Sequence, residues 1–208
     1  MKTKLLAFPV ILIFSIYTSY LTFSVPNNDL RSFQNDQNLY GFKNVSGLIV
    51  IPAKFRYAYD FNNYGIAAVL TDKGWHYINT QGKVLLKSFL FDNGPDYFQE
   101  GLARCVNENN KIGFFNERGV IIIQPQYDFA FTFSSGFASV CNGCKKVPAF
   151  PGSEYHVVKG GKWGIIDKTG KVIVKLTYDN TQPFSNGVAI LKKGNERYFV
   201  DKTGRIYR

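Results

Sequence analysis

A Cys-x-x-Cys pair, Cys141 and Cys144, is the arrangement in this sequence that most directly suggests chemistry. A zinc site would need four ligands at a suitable spacing, and the positions of Cys105 and His156 do not complete that set. Redox activity of the thioredoxin type would place the pair at the start of a helix, and no helix is predicted here. The sequence therefore predicts a disulfide between the paired cysteines, in a small loop turned by Asn142-Gly143, with metal ligation and redox activity as the alternatives.

Histidine and carboxylate side chains form no catalytic constellation in the sequence. Neither His76 nor His156 has a serine or aspartate placed beside it by a recognisable pattern. A catalytic pair is needed once, whereas turn chemistry is needed in every repeat, so we interpret the recurring aspartates as structural: Asp128, Asp167, Asp179 and Asp201. We expect no catalytic residue, no metal and no cofactor. The alternative is a cell-surface hydrolase or carbohydrate-active enzyme that uses His156 or these acids.

The elements that would position these side chains follow from a turn frame that occurs five times. In each copy an Asn or Asp stands three residues before a glycine, and an Ile or Val stands two residues after that glycine. The Asn or Asp side chain accepts hydrogen bonds from the backbone ahead of it, and the glycine takes the left-handed conformation. Together they make a type I turn with a glycine bulge, which predicts a β-hairpin in each copy. The turn residues are Asn44 and Gly47, Asn79 and Gly82, Asn116 and Gly119, Asp167 and Gly170, and Asp201 and Gly204.

A second frame lies between the hairpins and gives the repeat a length of roughly 35 residues. One copy is Tyr127-Asp128 followed by Phe133, Gly136 and Ala138, and a strand is predicted after the alanine. The fold class is therefore an all-β tandem repeat of three-stranded meanders, either a closed propeller-like ring or an open stacked array. The predicted units are 39–69, 73–105, 111–140 and 162–189, with an insertion at 141–156 and a closing hairpin at 195–208.

The repeat around Trp163 resembles the WG-repeat family of bacterial exported proteins, also called KWG repeats. The resemblance rests on Lys162-Trp163-Gly164, on the turn from Asp167 to Gly170 and on Tyr178-Asp179, and it covers about 39–208. It implies a β-rich repeat domain, often exported, with no general enzymatic activity and no family-wide catalytic residues.

Three positions depart from the pattern of that family. Ile112 and Arg197 stand where the tryptophan is expected, and His76 stands where the glycine is expected. We expect these copies to be weaker hairpins or, in the case of Arg197, an end cap.

The N-terminus has the composition of a targeting segment. Lys2 and Lys4 precede an uncharged apolar run from Leu5 to Phe23, which partitions into a bilayer with the lysines on the cytoplasmic side. Residues 1–24 are predicted to form a hydrophobic helix that is either a cleaved signal peptide or an uncleaved membrane anchor. Residues 25–38 are predicted to be a linker. The rest of the chain is expected to be exported to the periplasm, the cell surface or the medium.

Charge and the insertion together suggest a partner class. The net charge is +10, or +8 without the lysines at positions 2 and 4. Anionic surfaces are candidate partners, although the even spread of Lys and Arg also fits simple solubility, and nucleic acid is not favoured. The insertion is the expected binding segment because it interrupts a regular array. We predict a non-enzymatic binding or scaffold module for a protein or an anionic envelope component, with a purely structural envelope protein as a further alternative. The candidate contact residues are Lys145, Lys146, Phe150, Tyr155 and His156.

Overall fold

The structure is a computed structural model that describes residues 30–208 except residue 92. The predicted signal or anchor helix, residues 1–24, and the start of the predicted linker, residues 25–29, lie outside the described residues. The described chain is all-β, and it contains no helix that could span a bilayer.

The described residues form twenty strands. They are β1 (Arg31–Gln34), β2 (Tyr40–Lys43), β3 (Ile49–Phe55), β4 (Tyr57–Ala58), β5 (Ile66–Thr71), β6 (Gly74–Asn79), β7 (Val84–Ser88), β8 (Leu90–Phe91), β9 (Gly94–Pro95), β10 (Leu102–Val106), β11 (Ile112–Asn116), β12 (Ile121–Tyr127), β13 (Phe129–Ala130), β14 (Phe137–Pro148), β15 (His156–Asp167), β16 (Val172–Tyr178), β17 (Asn180–Ser185), β18 (Val188–Lys193), β19 (Glu196–Asp201) and β20 (Ile206–Tyr207).

These strands build five antiparallel three-stranded meanders, which we number 1 to 5 in chain order. They are β1–β2–β3, β5–β6–β7, β10–β11–β12, β14–β15–β16 and β18–β19–β20. The short strands β4, β13 and β17 pair with the first strand of the meander that follows them. Pairing of β7 with β10 joins meanders 2 and 3, with β4, into one seven-stranded sheet.

The boundaries of the repeat differ from the predicted units at both ends. Meander 1 begins inside the predicted linker, where Arg31–Gln34 form β1 and Leu30 is buried in the first core cluster. The turn into β2 was not recognised because Asn38, at a φ of 60°, takes the place of the glycine. At the other end, the predicted closing hairpin pairs with β18 and completes a fifth meander.

The strand ladders do not close a ring within the described residues. β1 is an edge strand of the first sheet and β20 is an edge strand of the last sheet. The terminal hairpin therefore pairs with its own meander and not with β1.

Each predicted turn has the hydrogen bonds expected of an Asn/Asp-x-x-Gly frame. In the turn of meander 4, Asp167 Oδ1 accepts the N–H groups of Thr169 at 2.9 Å and Lys171 at 3.0 Å, and Gly170 has a φ of +85°. Side-chain oxygens of Asn44, Asn79, Asn116 and Asp201 accept equivalent backbone bonds. The same geometry occurs in three turns that the sequence search missed, and these begin at Asn35, Asn62 and Asn107.

Neighbouring meanders pack by placing a turn glycine against an aliphatic side chain of the preceding unit. A Cβ on Gly82 would lie 3.3 Å from Ile51, and a Cβ on Gly170 would also lie 3.3 Å from Ile123. A side chain at either turn would therefore push two meanders apart. The core is divided accordingly into five clusters, several of which combine residues of adjacent units.

The glycine of the Trp-Gly pair lies where the third strand of its meander crosses close to the second. Gly41, Gly113 and Gly164 coincide with irregular register in their ladders, and a Cβ at any of them would overlap the backbone of that third strand. His76 occupies the same repeat position in meander 2, where it pairs with Lys87 and the register shifts only beyond Tyr77. Meander 2 therefore retains its hairpin without the close crossing.

Candidate functional site

The two cysteines of the Cys-x-x-Cys pair lie within β14 and form a disulfide. The predicted small loop between them is not present. Asn142 and Gly143 continue the strand. Asn142 pairs with Lys162 of β15, and Cys144 pairs with Gly160. Gly143 has a φ of +78° and Gly161 a φ of +72°, so the ladder passes through a local distortion there instead of reversing.

Cys105 is the remaining cysteine and it is buried, with 1% of its surface exposed. Burial raises the pKa of its thiol to about 11, so the nucleophilic thiolate is scarce at neutral pH. No group of three or more His, Cys, Asp or Glu side chains in the described part of the chain is arranged to hold a metal ion.

Thiol labelling tests this arrangement. Native protein isolated without reductant is expected to react with iodoacetamide at no cysteine, and the denatured protein at Cys105 alone, as counted by intact mass. Denaturation after reduction should give three labels, which serves as the control. Three labels on unreduced denatured protein would show that Cys141 and Cys144 are thiols.

Two recurring aspartates each join three elements by the same contacts. Lys111 Nζ lies 2.6 Å from Asp128 Oδ1, and Asp128 Oδ2 accepts the Gly143 N–H at 2.6 Å. In the next unit Lys162 Nζ lies 2.6 Å from Asp179 Oδ1, whose other oxygen accepts the N–H of Gly194. The lysine hydrogen bond and then the backbone N–H hold the pKa of each carboxyl below its usual value. These acids therefore link the lysine before the Trp-Gly position to the following meander.

The recurring aspartates of the turns and the first histidine also have local partners. Asp167 and Asp201 accept turn N–H groups and hydroxyls, as described for meander 4. His76 Nδ1 lies 2.9 Å from the carbonyl oxygen of Gly74 and 3.2 Å from the Thr71 hydroxyl. These contacts are of the kind that stabilise turns and strand ends.

The predicted insertion is an extension of the β14–β15 hairpin. We call residues 141–162 the insertion hairpin. Its arms pair from Cys144 opposite Gly160 to Pro148 opposite His156, and residues 149–155 make the end loop. The loop carries two exposed aromatic side chains, since Phe150 is 63% and Tyr155 is 81% exposed.

The insertion hairpin covers a groove of about 470 Å³, which we call the hairpin groove. Lys146, Tyr155 and His156 line it, so three of the five predicted binding residues lie together. Lys145 and Phe150 are outside its lining. The other lining residues come from the hairpin and from the preceding units: Phe89, Leu90, Arg104, Phe129, Phe131, Glu154 and Val158.

Lysines give the insertion hairpin a positive surface. It contains four lysines and one acid, Glu154. Lys145 and Lys159 are exposed and directly opposite each other across the two strands, a like-charge pair that opposes pairing. An anion lying across the two ammonium groups would relieve this repulsion.

A buried ion pair behind the hairpin groove was not predicted from the sequence. The Arg104 guanidinium meets both carboxylate oxygens of Asp96 at 2.7 and 2.9 Å and donates to the Ala130 carbonyl oxygen at 3.0 Å. The Arg104 side chain is 5% exposed and that of Asp96 is 1% exposed. The sequence feature that could have indicated this pair is an arginine within the otherwise apolar strand Leu102–Val106.

The regular recurrence of the Trp-Gly position agrees with a comparison of the sequence against protein-family models. A model described as WG containing repeat matches residues 40–75, 112–145 and 163–196, together half of the chain. The chain belongs to the WG-repeat family. Each match begins at the Trp-Gly frame of a hairpin, including the copies of this WG-repeat protein in which tryptophan is replaced by Tyr40 or Ile112.

Two solved structures are distantly similar to this WG-repeat protein. No curated protein sequence matches it. A crystal structure of the eukaryotic initiation factor is similar at a TM-score of 0.36 and 13% identity, over 88% of this chain and 52% of that one. The computationally designed Ika8 protein is similar at a TM-score of 0.28 and 10% identity, over 86% of this chain and 70% of that one. This chain thus spans about half the length of the first of these two structures.

Proposed function

We propose that this WG-repeat protein is an exported, non-enzymatic binding module that holds an anionic component of the cell envelope at its insertion hairpin. The supporting observation is that the hairpin places exposed aromatic rings and lysines on one projecting segment. Aromatic side chains are enriched where proteins contact partners, and Phe150 and Tyr155 are both exposed on the end loop of the hairpin.

Charge favours an anionic partner over a neutral one. Lys145 and Lys159 face each other across the hairpin, and Lys146 lies in the adjacent groove beside His156. Bringing anionic groups to these lysines gains Coulomb energy and removes the repulsion within the pair.

Cosedimentation with phosphatidylglycerol vesicles, with phosphatidylcholine vesicles for comparison, tests the proposal. Replacing Lys145, Lys146 and Lys159 with glutamine should weaken binding to the anionic vesicles by about 100-fold, since each lysine near an anionic surface contributes ~1 kcal/mol. Binding should also weaken as ionic strength rises.

A matched control removes three lysines elsewhere. Lys54, Lys83 and Lys175 are exposed and take part in none of the ion pairs of the described residues. Their replacement with glutamine changes the net charge equally and should weaken binding far less than the hairpin variant. Equal losses in the two variants would mean that general charge, and not the hairpin, holds the anion. Retention on the envelope that is insensitive to salt and to both variants would point to a protein partner instead.

A further inference from the structure

A second cavity has a different chemical character from the hairpin groove. Its volume is about 480 Å³, within the range of small-molecule sites. We call it the aromatic cavity. It is formed by the loop between β4 and β5, by strand β6, by the segment after β9 and by the turn of meander 3. Its lining residues are Tyr59, Asp60, Asn62, Asn63, Tyr64 and Tyr77 together with Ile66, Ala68, Gly94, Pro95, Asp96, Tyr97, Phe98 and Glu117.

Long-range contacts fix the walls of the aromatic cavity. Asn62 Nδ2 donates to the Glu117 carbonyl oxygen at 2.9 Å, which joins residues 55 positions apart in the sequence. Tyr59 packs on Trp75 with ring centroids 5.6 Å apart, and Phe98 packs on Phe115 at 5.2 Å. The site is therefore formed before any ligand arrives.

Four tyrosines and one phenylalanine surround the cavity. Tyr77 is buried, whereas Tyr59, Tyr64 and Tyr97 are between 45% and 62% exposed at the rim. Aromatic rings attract cations to their faces through the ring quadrupole. The protein already uses this property here, because the Arg118 guanidinium lies 4.8 Å from the centroid of the Tyr64 ring.

The charged residues that line the aromatic cavity are all acidic, and the Arg118 guanidinium lies against one of its rings, Tyr64. Asp60, Asp96 and Glu117 line it, and no lysine or arginine does, in a chain of net charge +10. Asp96 is compensated by Arg104, and Asp60 lies 3.7 Å from Arg31 with both side chains largely exposed. Glu117 has no ion pair within the described residues, so its carboxylate remains to attract a cation.

Buried Tyr77 contributes a neutral hydroxyl to the cavity. Burial, followed by the nearby Asp96 carboxylate, raises the pKa of Tyr77 to about 12. The phenol therefore stays protonated throughout the physiological range, and its ring keeps an apolar and electron-rich surface.

The amide of Asn62, one of the two that line the cavity, is not available to a neutral sugar. Asn62 Oδ1 accepts the N–H groups of Tyr64 and Ile66, and its Nδ2 donates to Glu117. Sugar hydroxyls need several convergent donors and acceptors, and here the amide of Asn62 is already used. An alkylated ammonium group needs aromatic faces and a carboxylate and no such set of donors.

We propose that the aromatic cavity binds a small organic cation of the quaternary or alkylated ammonium class. The rings of Tyr59 and Tyr97 contact its alkyl groups, and Glu117 supplies the opposite charge. This site is separate from the insertion hairpin and selects the opposite charge, so it does not depend on the function proposed above.

Titration of the ¹⁵N-labelled full chain with choline, followed by amide and Trp75 indole shifts, tests this site. Choline is expected to bind about tenfold more tightly than 3,3-dimethyl-1-butanol, its neutral isostere, with shifts confined to the cavity lining. Equal binding of the two compounds would overturn the assignment to cations. Saturable shifts of the same residues with N-acetylglucosamine, and none with choline, would assign the cavity to sugars instead.

Two variants locate the interaction. Glu117→Gln is expected to weaken choline binding about 5- to 10-fold. Glu108→Gln is the matched control, because Glu108 follows the turn residue Asn107 as Glu117 follows Asn116, and it is exposed outside the cavity. Tyr59→Leu tests the rings in the same way, with the spectrum of unliganded protein reporting whether the fold is kept. Choline affinity unchanged in both Glu117→Gln and Tyr59→Leu would contradict the proposal.

Discussion

Replacing Asp96 with alanine is expected to lower the free energy of unfolding by about 3–5 kcal/mol, because it removes the carboxylate that compensates the buried Arg104 guanidinium. The loss includes two side-chain hydrogen bonds and the bond from the Arg104 backbone N–H to Asp96 Oδ2 at 2.8 Å. The Phe89 ring, 4.2 Å from the guanidinium carbon, cannot replace a full charge. Urea unfolding followed by tryptophan fluorescence measures the change.

Two further variants test whether the loss of stability comes from leaving the Arg104 charge buried without a partner. Arg56→Ala removes an exposed pair with Asp72 and should cost no more than ~1 kcal/mol. The double variant Asp96→Leu with Arg104→Met removes both charges and should recover much of the loss, because apolar side chains need no counter-charge. A cost for Asp96→Ala no larger than that for Arg56→Ala would show that the buried pair contributes little.

The acid of the buried pair occupies a repeat position that holds an aromatic residue elsewhere. Tyr59 packs on Trp75, and Phe131 stacks on Trp163 with ring centroids 5.7 Å apart. At the corresponding place in the next copy the tryptophan is replaced by Ile112, and Asp96 stands at the repeat position of Tyr59. Arg104 then supplies the bulk and the hydrogen bonds that the indole would have provided. We infer that the ion pair compensates for the loss of the tryptophan at Ile112.

Local chemistry explains which features of the fold were predictable. An Asn or Asp three residues before a glycine determines its own turn, so the five turns of the repeat frame were predicted from a few adjacent residues. The turn from Asn62 to Gly65 has the same pattern and was missed because it lies outside that frame. The first turn was missed because Asn38 adopts the left-handed conformation without being a glycine. Its strand β1 therefore appeared to be polar linker. The predicted units also grouped the strands differently from the observed meanders. The turn frame identifies each hairpin, but it does not show which further strand, such as β18 beside β19, pairs with that hairpin.

The candidate sites were predictable only where one segment carries them. The insertion was visible because it interrupts a regular spacing, and Lys146, Tyr155 and His156 do line one groove. The aromatic cavity was not predicted, because Tyr59 and Glu117 come from different meanders and each resembles a repeat position with a structural role. Which repeated side chains line a cavity depends on how units stack, and that packing has no signal in any single repeat.

Replacing Gly164 with alanine is the second change expected to have a large effect, with a loss of about 3 kcal/mol in the free energy of unfolding. The added Cβ would overlap the Val174 carbonyl oxygen and lie 2.9 Å from the Leu176 N atom. Both are backbone atoms of β16, so the clash is relieved only by moving that strand. The movement would disturb Trp163 and Ile165, which are buried on either side. Thermal unfolding should show a decrease in Tm of roughly 10 °C.

The matched control for Gly164→Ala is His76→Ala, at the same position of meander 2. A Cβ is already present there, and the ladder of β6 with β7 lacks the close crossing, since His76 pairs with Lys87. His76→Ala removes the ring contacts with Thr71 and Gly74 and should cost no more than ~1 kcal/mol. If the two variants lose equal stability, the close approach of the third strand is not what requires glycine. If only Gly164→Ala causes a large loss in the free energy of unfolding, the glycine of the Trp-Gly pair is needed for the close crossing of β16. A meander without that glycine must then pair its strands without the crossing, as meander 2 does.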